Sequence, residues 1–251
     1  MKRKVWKTCI QAVATALFLL AVWGVAYLLV GNELLVPSFS ACLKEMGGLL
    51  VSAAFWRSVG TTFLRTLAAF AFSFLFAVFF AFIAYMVSSF RRFFGWIVSA
   101  VRSLPTLAVL LILLLWWGAG FAPIAVAFLS LFPILYTAIL TALLGVDGEL
   151  IEMSNSYNVP LKKQVTKLYL PAVAPYVARE GSGALSFALK LVVSAEVLAG
   201  TVKSLGGMMQ DAKAYLDVPL LFALVAVTLI LGLILESLGE LFAEWLERRT
   251  R

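Results

Sequence analysis

The chain has 251 residues, 63% of them hydrophobic and only 13% charged, with a net charge of +7. A soluble domain is about 45–50% apolar and about 25% charged, so this sequence has too little polar surface to cover a water-soluble globule. A soluble enzyme, a disordered chain and a nucleic-acid-binding domain are excluded, and the basic excess reads as inside-positive membrane topology.

Histidine is absent and cysteine occurs only as Cys9 and Cys42. A His/Cys metal site, His-dependent triad chemistry and a disulfide framework are therefore excluded. Cys42 ends Phe39-Ser-Ala-Cys42, which resembles a lipoprotein cleavage site. The uncharged run Ala12 to Val30 is too long for a signal core and ends a dozen residues before it, so it reads as a retained span.

A spanning helix needs roughly 20 apolar residues. The first run, Ala12 to Val30, follows Lys2, Arg3, Lys4 and Lys7. Asn32 to Trp56 reads as an outer segment, with Pro37 and Gly47-Gly48 in loop and a short surface helix after them. The second span, Thr66 to Ser89, follows Arg65 and stops at Arg91 and Arg92. Its phenylalanines, among them Phe70, Phe74, Phe76 and Phe80, read as lipid-facing bulk. From Ser103 to Val146 there is no charge; as one helix that stretch would be about 66 Å long, twice a hydrocarbon core. It must fold back, and Gly118-Ala-Gly-Phe-Ala-Pro123 supplies the break. A third span near Gly95 to Trp117 and a fourth near Pro123 to Leu144 result. A polar stretch follows from Asp147 to Arg179, then a fifth span (Gly181 to Leu198) and a sixth (Val218 to Leu235). Gly181, Ser182, Gly183, Ala184 and Ser186 would let the fifth approach another helix closely. The sixth runs on into water, where Glu244 and Glu247 can pair with Arg248 and Arg251 at i,i+4.

The expected fold is thus an all-α integral membrane domain of six transmembrane helices, a single unit over 1–251. Lys and Arg concentrate in segments that face the cytoplasm if the amino terminus is inside, which puts both termini in the cytoplasm.

Between Asp147 and Pro171, helical spacing puts Leu150, Met153, Tyr157 and Leu161 on one apolar side. Asn158-Val-Pro160 then interrupts the helix, because Asn tolerates a left-handed backbone and Pro cannot continue the hydrogen-bond pattern. A second short helix runs from Gln164 to Leu170. Helix, bend and helix suit docking on a soluble partner; an interfacial helix lying on lipid is the competing reading.

Glu152-Met153-Ser154, three residues, Asn158, nine residues, then Leu168-Tyr-Leu170-Pro171 resembles the EAA loop of ATP-binding-cassette importer permeases. The family pattern is Glu-Ala-Ala, three residues, Gly, nine residues, Ile-x-Leu-Pro. The spacing agrees at every step; Met153 and Ser154 replace the alanines, Asn158 the glycine and Leu168 the isoleucine. The resemblance covers residues 55–251. Arg102-Ser-Leu-Pro105…Leu115-Trp-Trp-Gly118-Ala-Gly120, Ala195-Glu196-Val-Leu…Leu205-Gly206-Gly207 and Glu247-Arg-Arg-Thr are similar to one subgroup. That subgroup comprises the nitrate, sulfonate, taurine and bicarbonate permeases, with relatives for thiamine-precursor pyrimidines and for riboflavin.

The resemblance implies a type I importer-like core and a bacterial inner-membrane location. It also implies a second permease copy in a homodimer, a cytoplasmic pair of ATPase subunits and an external solute-binding protein. ATP and Mg would be bound in the ATPase, since this chain has no Gly-x-x-x-x-Gly-Lys-Ser/Thr loop. The loop at 147–171 would be its coupling element.

Arg65, Arg102, Lys190, Glu196 and Glu236 fall within or at the ends of spans. Each needs a partner or water, at a cost of at least ~2.5–3.5 kcal/mol at mid-bilayer. Arg65 and Glu196 both lie toward the outside and could form a structural ion pair. Arg102 and Lys190, with Pro105 and Glu196, are candidates for the translocation path, where the two cations would favour an anionic solute. Alternatively Arg102 snorkels to the interface and Lys190 pairs with a neighbouring helix or subunit. An ion-coupled secondary transporter is the competing class, for which Glu196 would be the carrier; the poverty of mid-span acids argues against it.

Overall fold

The computed structural model describes residues 2–250, and side chains from residue 14 onward other than 16, 19 and 250. The described residues form helices and no strand: α1 (Lys2–Val30), α2 (Phe39–Val51), α3 (Ala53–Met86), α4 (Ser88–Ser103), α5 (Thr106–Leu144), α6 (Gly148–Ser156), α7 (Leu161–Gln164), a π-helical turn (Val165–Tyr169), α8 (Leu170–Ala199), α9 (Leu205–Ala214) and α10 (Val218–Thr250). The side chains of Lys2, Arg3, Lys4, Lys7 and Cys9, and the whole of Arg251, lie outside the described residues.

Among the described residues, four stretches are long and apolar enough to cross a membrane: Ala53–Met86, Thr106–Leu144, Leu161–Ala199 and Val218–Arg249; the part of α1 whose side chains are described without a break, Leu20–Val30, is apolar as well. The third expected span, Gly95 to Trp117, is not one helix. It is split between α4 and the start of α5 by an extended Leu104 and Pro105. Proline disfavours helical geometry in the residue before it, which explains the position of the break.

The fold-back itself occurs at Gly118, whose φ of 70° and ψ of 176° interrupt α5. Leu110 and Leu113 on one side of it join a buried cluster with Ala122, Ala125 and Val126 on the other. A straight helix would hold Leu110 and Val126 about 24 Å apart, so the two arms lie antiparallel. No atom would obstruct a Cβ at Gly118; the backbone angles alone require glycine.

α8 is the central element and packs against α3, α5, α9 and α10. Its small residues do the close packing: Gly181, Ser182, Ala184 and Ser186 are buried, whereas Gly183 is exposed. A Cβ at Gly239 of α10 would collide with Ser182, and one at Gly232 would lie 3.4 Å from Ser186 Oγ. Backbones that approach this closely gain dispersion contacts that lipid chains do not supply.

Several boundaries differ from the sequence expectation. α3 begins at Ala53, N-capped by Ser52 Oγ, which accepts from Phe55 N at 3.4 Å. Arg65 therefore sits inside the helix, not at its start. Gly47 and Gly48 lie within α2, where open space surrounds both. The second short helix of the loop at 147–171 does not stop at Pro171 but feeds into α8 through the π turn, where Leu170 N donates to Val165 O. Pro171 has no N–H to donate to the preceding turn, and the π turn lies immediately before it in the continuous helix.

The phenylalanines of α3 divide between two environments. Phe70, Phe74 and Phe80 pack on the core, and Phe80 stacks on Phe94 at 4.7 Å, while Phe72, Phe79 and Phe82 are exposed. The buried stripe of α3 is instead small and hydroxylic, running through Ser58, Thr62, Thr66, Ala69, Ser73, Ala77, Ala81 and Ala84. Spacings of three and four residues put these on one helix face.

Candidate functional site

Two places gather the residues singled out by the sequence. The first is the loop between α5 and α8. Asp147 caps α6, its carboxylate accepting from Glu149 N at 2.9 Å, a favourable place for a negative charge. After one short helix the chain turns at Asn158, whose φ is 50°. The turn is fastened by Gln164, whose side-chain N–H group donates to Asn155 Oδ1 at 3.1 Å and to Val159 O at 3.0 Å.

No residue of α6 is buried. Leu150, Met153, Tyr157 and Leu161 are all exposed, Tyr157 at 78%. Glu152 is exposed and Ser154 half-buried; Leu168 and Pro171 are half-buried and Leu170 is exposed. An apolar helix face that its own chain leaves uncovered is one that lipid or a partner protein can cover. The loop is connected inward at one point of note, the Tyr169 hydroxyl, which lies 3.0 Å from the Tyr85 hydroxyl at the end of α3.

The second place surrounds Glu196, which is fully buried three residues before the end of α8. Arg65 Nη1 donates to Glu196 Oε1 at 2.8 Å. Thr62 Oγ1 donates to Glu196 Oε2 at 2.8 Å, and Gly206 N donates to the same oxygen at 3.2 Å. Leu205 N in turn donates to Thr62 Oγ1 at 3.0 Å. The carboxylate thus meets a guanidinium and the positive amino end of α9 together, and all its partners are hydrogen-bonded, which is what a buried charge requires.

Gly206 is part of this geometry. A Cβ there would collide with Glu196 Cβ and stand 2.6 Å from Val197 N and 2.7 Å from Val193 O. Ser204 caps α9, its Oγ accepting from Gly207 N at 2.9 Å. Thr201 Oγ1 reaches across to Ala119 O at 3.1 Å, beside the Gly118 bend. Sequence reading singled out Arg65, Glu196, Gly206 and Gly207 but gave no role to Thr62, Thr201 or Ser204, since hydroxyl residues in apolar helices carry no signal of their own until a buried charge is seen beside them.

Arg102, Pro105 and Lys190 do not converge. Arg102 Nη2 donates to Pro133 O at 3.3 Å and to Thr137 Oγ1 at 2.9 Å, fastening α4 to the far arm of α5. Pro105 is exposed at the start of that helix. Lys190 lies on an open face of α8 and lines a cavity of about 470 Å³ with Ser186, Ser194, Thr228 and Glu236. Among the described residues Lys190 has no ion-pair partner within 4.0 Å. Glu247 pairs with Arg179 at 3.2 Å, and Glu244 with Arg248 at 3.7 Å.

Residues 73–251, most of the chain, match the family described as binding-protein-dependent transport system inner membrane component. The chain belongs to this family. Among curated relatives of this permease, a putative aliphatic sulfonates transport permease of Bacillus subtilis is 27% identical over 151 residues, 59% of this chain and 52% of that protein. A riboflavin transport system permease of Chloroflexus aurantiacus is also 27% identical, over 61% of this chain and 57% of its own length. A probable ABC transporter permease of Brucella abortus is 29% identical over 60% of this chain and 62% of its own. The match therefore spans little more than half the length of these relatives.

The fold of this permease is that of type I importer permeases. An inward-facing structure of the MetNI methionine ABC transporter superposes with a TM-score of 0.67, covering 77% of this chain and 96% of that one at 17% identity. An amino acid ABC transporter superposes with a TM-score of 0.61 at 18% identity, covering 75% and 90%. The chain is a multi-pass membrane permease component.

Proposed function

We propose that this permease forms, with a second copy of itself, the translocation path of an ATP-driven importer in a bacterial inner membrane, with both termini in the cytoplasm. An external binding protein delivers a small solute, and a pair of cytoplasmic ATPase subunits, which bind the ATP and Mg, supplies the energy. The observation that carries the reading is α6 (Gly148–Ser156), a capped helix with no buried residue, followed by the left-handed Asn158. Leu150, Met153 and Tyr157 are the contact surface for the ATPase, and Glu152, Ser154, Leu168, Leu170 and Pro171 give that surface its register. Closure of the ATPase pair moves α6, and the movement passes through the π turn into α8, the element on which the rest of the bundle packs.

The solute is a small anion such as nitrate, a sulfonate or taurine. Arg102 is engaged by α5, so the positive potential along the path comes from Lys190 on its open face of α8. Riboflavin or a thiamine-precursor pyrimidine is the alternative solute, favoured by Glu236 on the same cavity, which offsets the lysine charge. Ion coupling through Glu196 is disfavoured, because a carboxylate held by Arg65, Thr62 and Gly206 is poorly placed to exchange an ion.

The test is affinity capture of the permease from native membranes in mild detergent, with mass spectrometry of every stoichiometric partner, beside a variant carrying Glu152→Lys and Asn158→Pro. The reading expects an ATPase with the native chain and its loss from the variant. Absence of an ATPase, under conditions that keep a known importer intact, overturns it. The captured binding protein identifies the solute: transport abolished by Lys190→Gln supports the anion, and transport unchanged by it supports the neutral vitamin.

A further inference from the structure

A second cavity, also of about 470 Å³, lies beside the first half of α8, between α3 and α10. Its floor is the small-residue face of α8 at Ala174, Ala178 and Gly181, and its walls are aromatic: Phe70 and Phe74 of α3 on one side, Phe242 of α10 on the other. Only two of its lining side chains, Tyr169 and Ser182, carry polar atoms. Both are already engaged, Tyr169 with the Tyr85 hydroxyl at 3.0 Å and Ser182 donating to Arg179 O at 2.7 Å. Water needs two to four polar partners to occupy a cavity, and a hydrophilic solute needs more. Neither finds them here.

The groove runs toward the end of the molecule that carries Lys162 and Arg249. Lys162 precedes the lining residue Val165 by three residues, and Arg249 follows the lining residue Leu246 by three, so each stands one helical turn beyond the apolar wall. Both are exposed, and Arg249 is stacked over Trp245 at 4.4 Å, which holds its guanidinium along α10 one turn past Leu246. The nearby carboxylates are occupied: Glu247 by Arg179 and Glu244 by Arg248. Glu240, exposed beside Gly239, points from a different face of α10. An apolar channel at membrane depth that ends in two cations matches the charge and polarity profile of one lipid class in the anionic cytoplasmic leaflet.

We infer that the α3–α8–α10 groove is a binding site for an anionic phospholipid, with one acyl chain lying over Ala174, Ala178 and Gly181 and the headgroup phosphate held by Lys162 and Arg249. The site sits against the π turn and α8, so a bound chain also fills the space beside the element that joins the cytoplasmic loop to the bundle. The inference rests on the membrane orientation and on neither the solute nor the ATPase.

The experiment uses the full chain purified in detergent, without ATPase, and native mass spectrometry with phosphatidylglycerol or phosphatidylcholine of identical acyl chains. The native chain should retain phosphatidylglycerol over phosphatidylcholine, with a preference of about fivefold for each cation. Lys162→Gln with Arg249→Gln should abolish the preference, and Lys162→Arg with Arg249→Lys should restore it. Ala178→Phe, which fills the groove, should lose both lipids. Should that variant fail to fold, Leu246→Trp gives the same answer, because brominated phosphatidylglycerol should quench the added emission more than brominated phosphatidylcholine does, and no more than it in the Lys162→Gln, Arg249→Gln background. Equal retention of the two lipids, a filled variant that binds as the native chain does, an unquenched Trp, or a native dimer that holds no lipid because a second copy covers the groove would each overturn the site.

Discussion

Glu196 and Arg65 lie 131 positions apart in the chain and 2.8 Å apart in space. Their contact joins α3 to α8, and through Gly206 and Thr62 it fixes the start of α9 as well. Removing one partner of such a pair strands the other charge in an apolar setting. Glu196→Ala and Arg65→Ala should each destabilise the permease by about 3–5 kcal/mol. Glu196→Gln should cost less, since the amide oxygen can still accept from Thr62 or Gly206. The double replacement Arg65→Met with Glu196→Gln should be milder than the sum of the singles, because no charge is left unpaired. Thermal unfolding of the four variants in detergent checks the order; equal effects in all four would refute it.

Gly206 and Gly239 have backbone or Cβ atoms where their own Cβ would stand. Gly206→Ala and Gly239→Ala should each lower stability by about 1–3 kcal/mol through overpacking. Gly95→Ala and Gly183→Ala, which meet nothing within 4 Å, are the controls and should leave the melting temperature unchanged or slightly higher, given the better helix propensity of alanine.

The bend at Gly118 makes a different demand. Space is free, but the φ of 70° with ψ of 176° is open only to glycine. Gly118→Ala should cost about 1–3 kcal/mol of backbone strain and loosen the antiparallel arms. A crosslink between cysteines placed at Leu110 and Val126, in a background lacking Cys9 and Cys42, should form more slowly in the variant. An unchanged rate would place the fold-back elsewhere.

In the loop at 147–171, stability and the proposed coupling should separate. Leu150→Asp with Met153→Asp alters only exposed side chains, so unfolding should shift by no more than about 0.5 kcal/mol while ATPase capture is lost. Asn158→Gly should retain capture because glycine accepts the φ of 50°. Asn158→Val should weaken it, since a β-branched residue is strained there. A Val variant as competent as the Gly variant would remove the backbone argument.

Cys42 is buried in α2, outside the spanning helices, and burial pushes its thiol pKa above the ordinary value of 9.0. At neutral pH the thiol is then even less ionised than usual, so in a chain with Cys9→Ser, alkylation of the folded protein should be slow and should accelerate on unfolding. Above pH 9 the unfolded thiol loses its proton before the folded one does. The unfolded state therefore binds fewer protons, and this contribution to stability falls as pH rises. Cys42→Ala should flatten the alkaline loss of stability; an unchanged pH profile would show that the thiol contributes nothing.

Composition and spacing alone determined that this is an all-helical membrane chain, because nothing but a bilayer suits so few charges and helices are the local solution to backbone satisfaction in lipid. Spacing also located the loop at 147–171, since an amphipathic turn pattern and Asn158-Val-Pro160 act within a few residues of one another. Arg65 and Glu196 were legible as partners because only so many charges lie in the spans. What the sequence could not decide was anything set by facing surfaces: which phenylalanines of α3 turn inward, that Thr62 and the amino end of α9 share the Glu196 carboxylate, and that Arg102 spends its hydrogen bonds on Pro133 and Thr137. Those outcomes depend on how α3, α5, α8 and α10 cross, and the crossings are set by small residues meeting one another, Ser182 against Gly239 and Ser186 beside Gly232. In an apolar helix every face is hydrophobic, so periodicity cannot mark the inner one; only the tertiary packing of close backbones does.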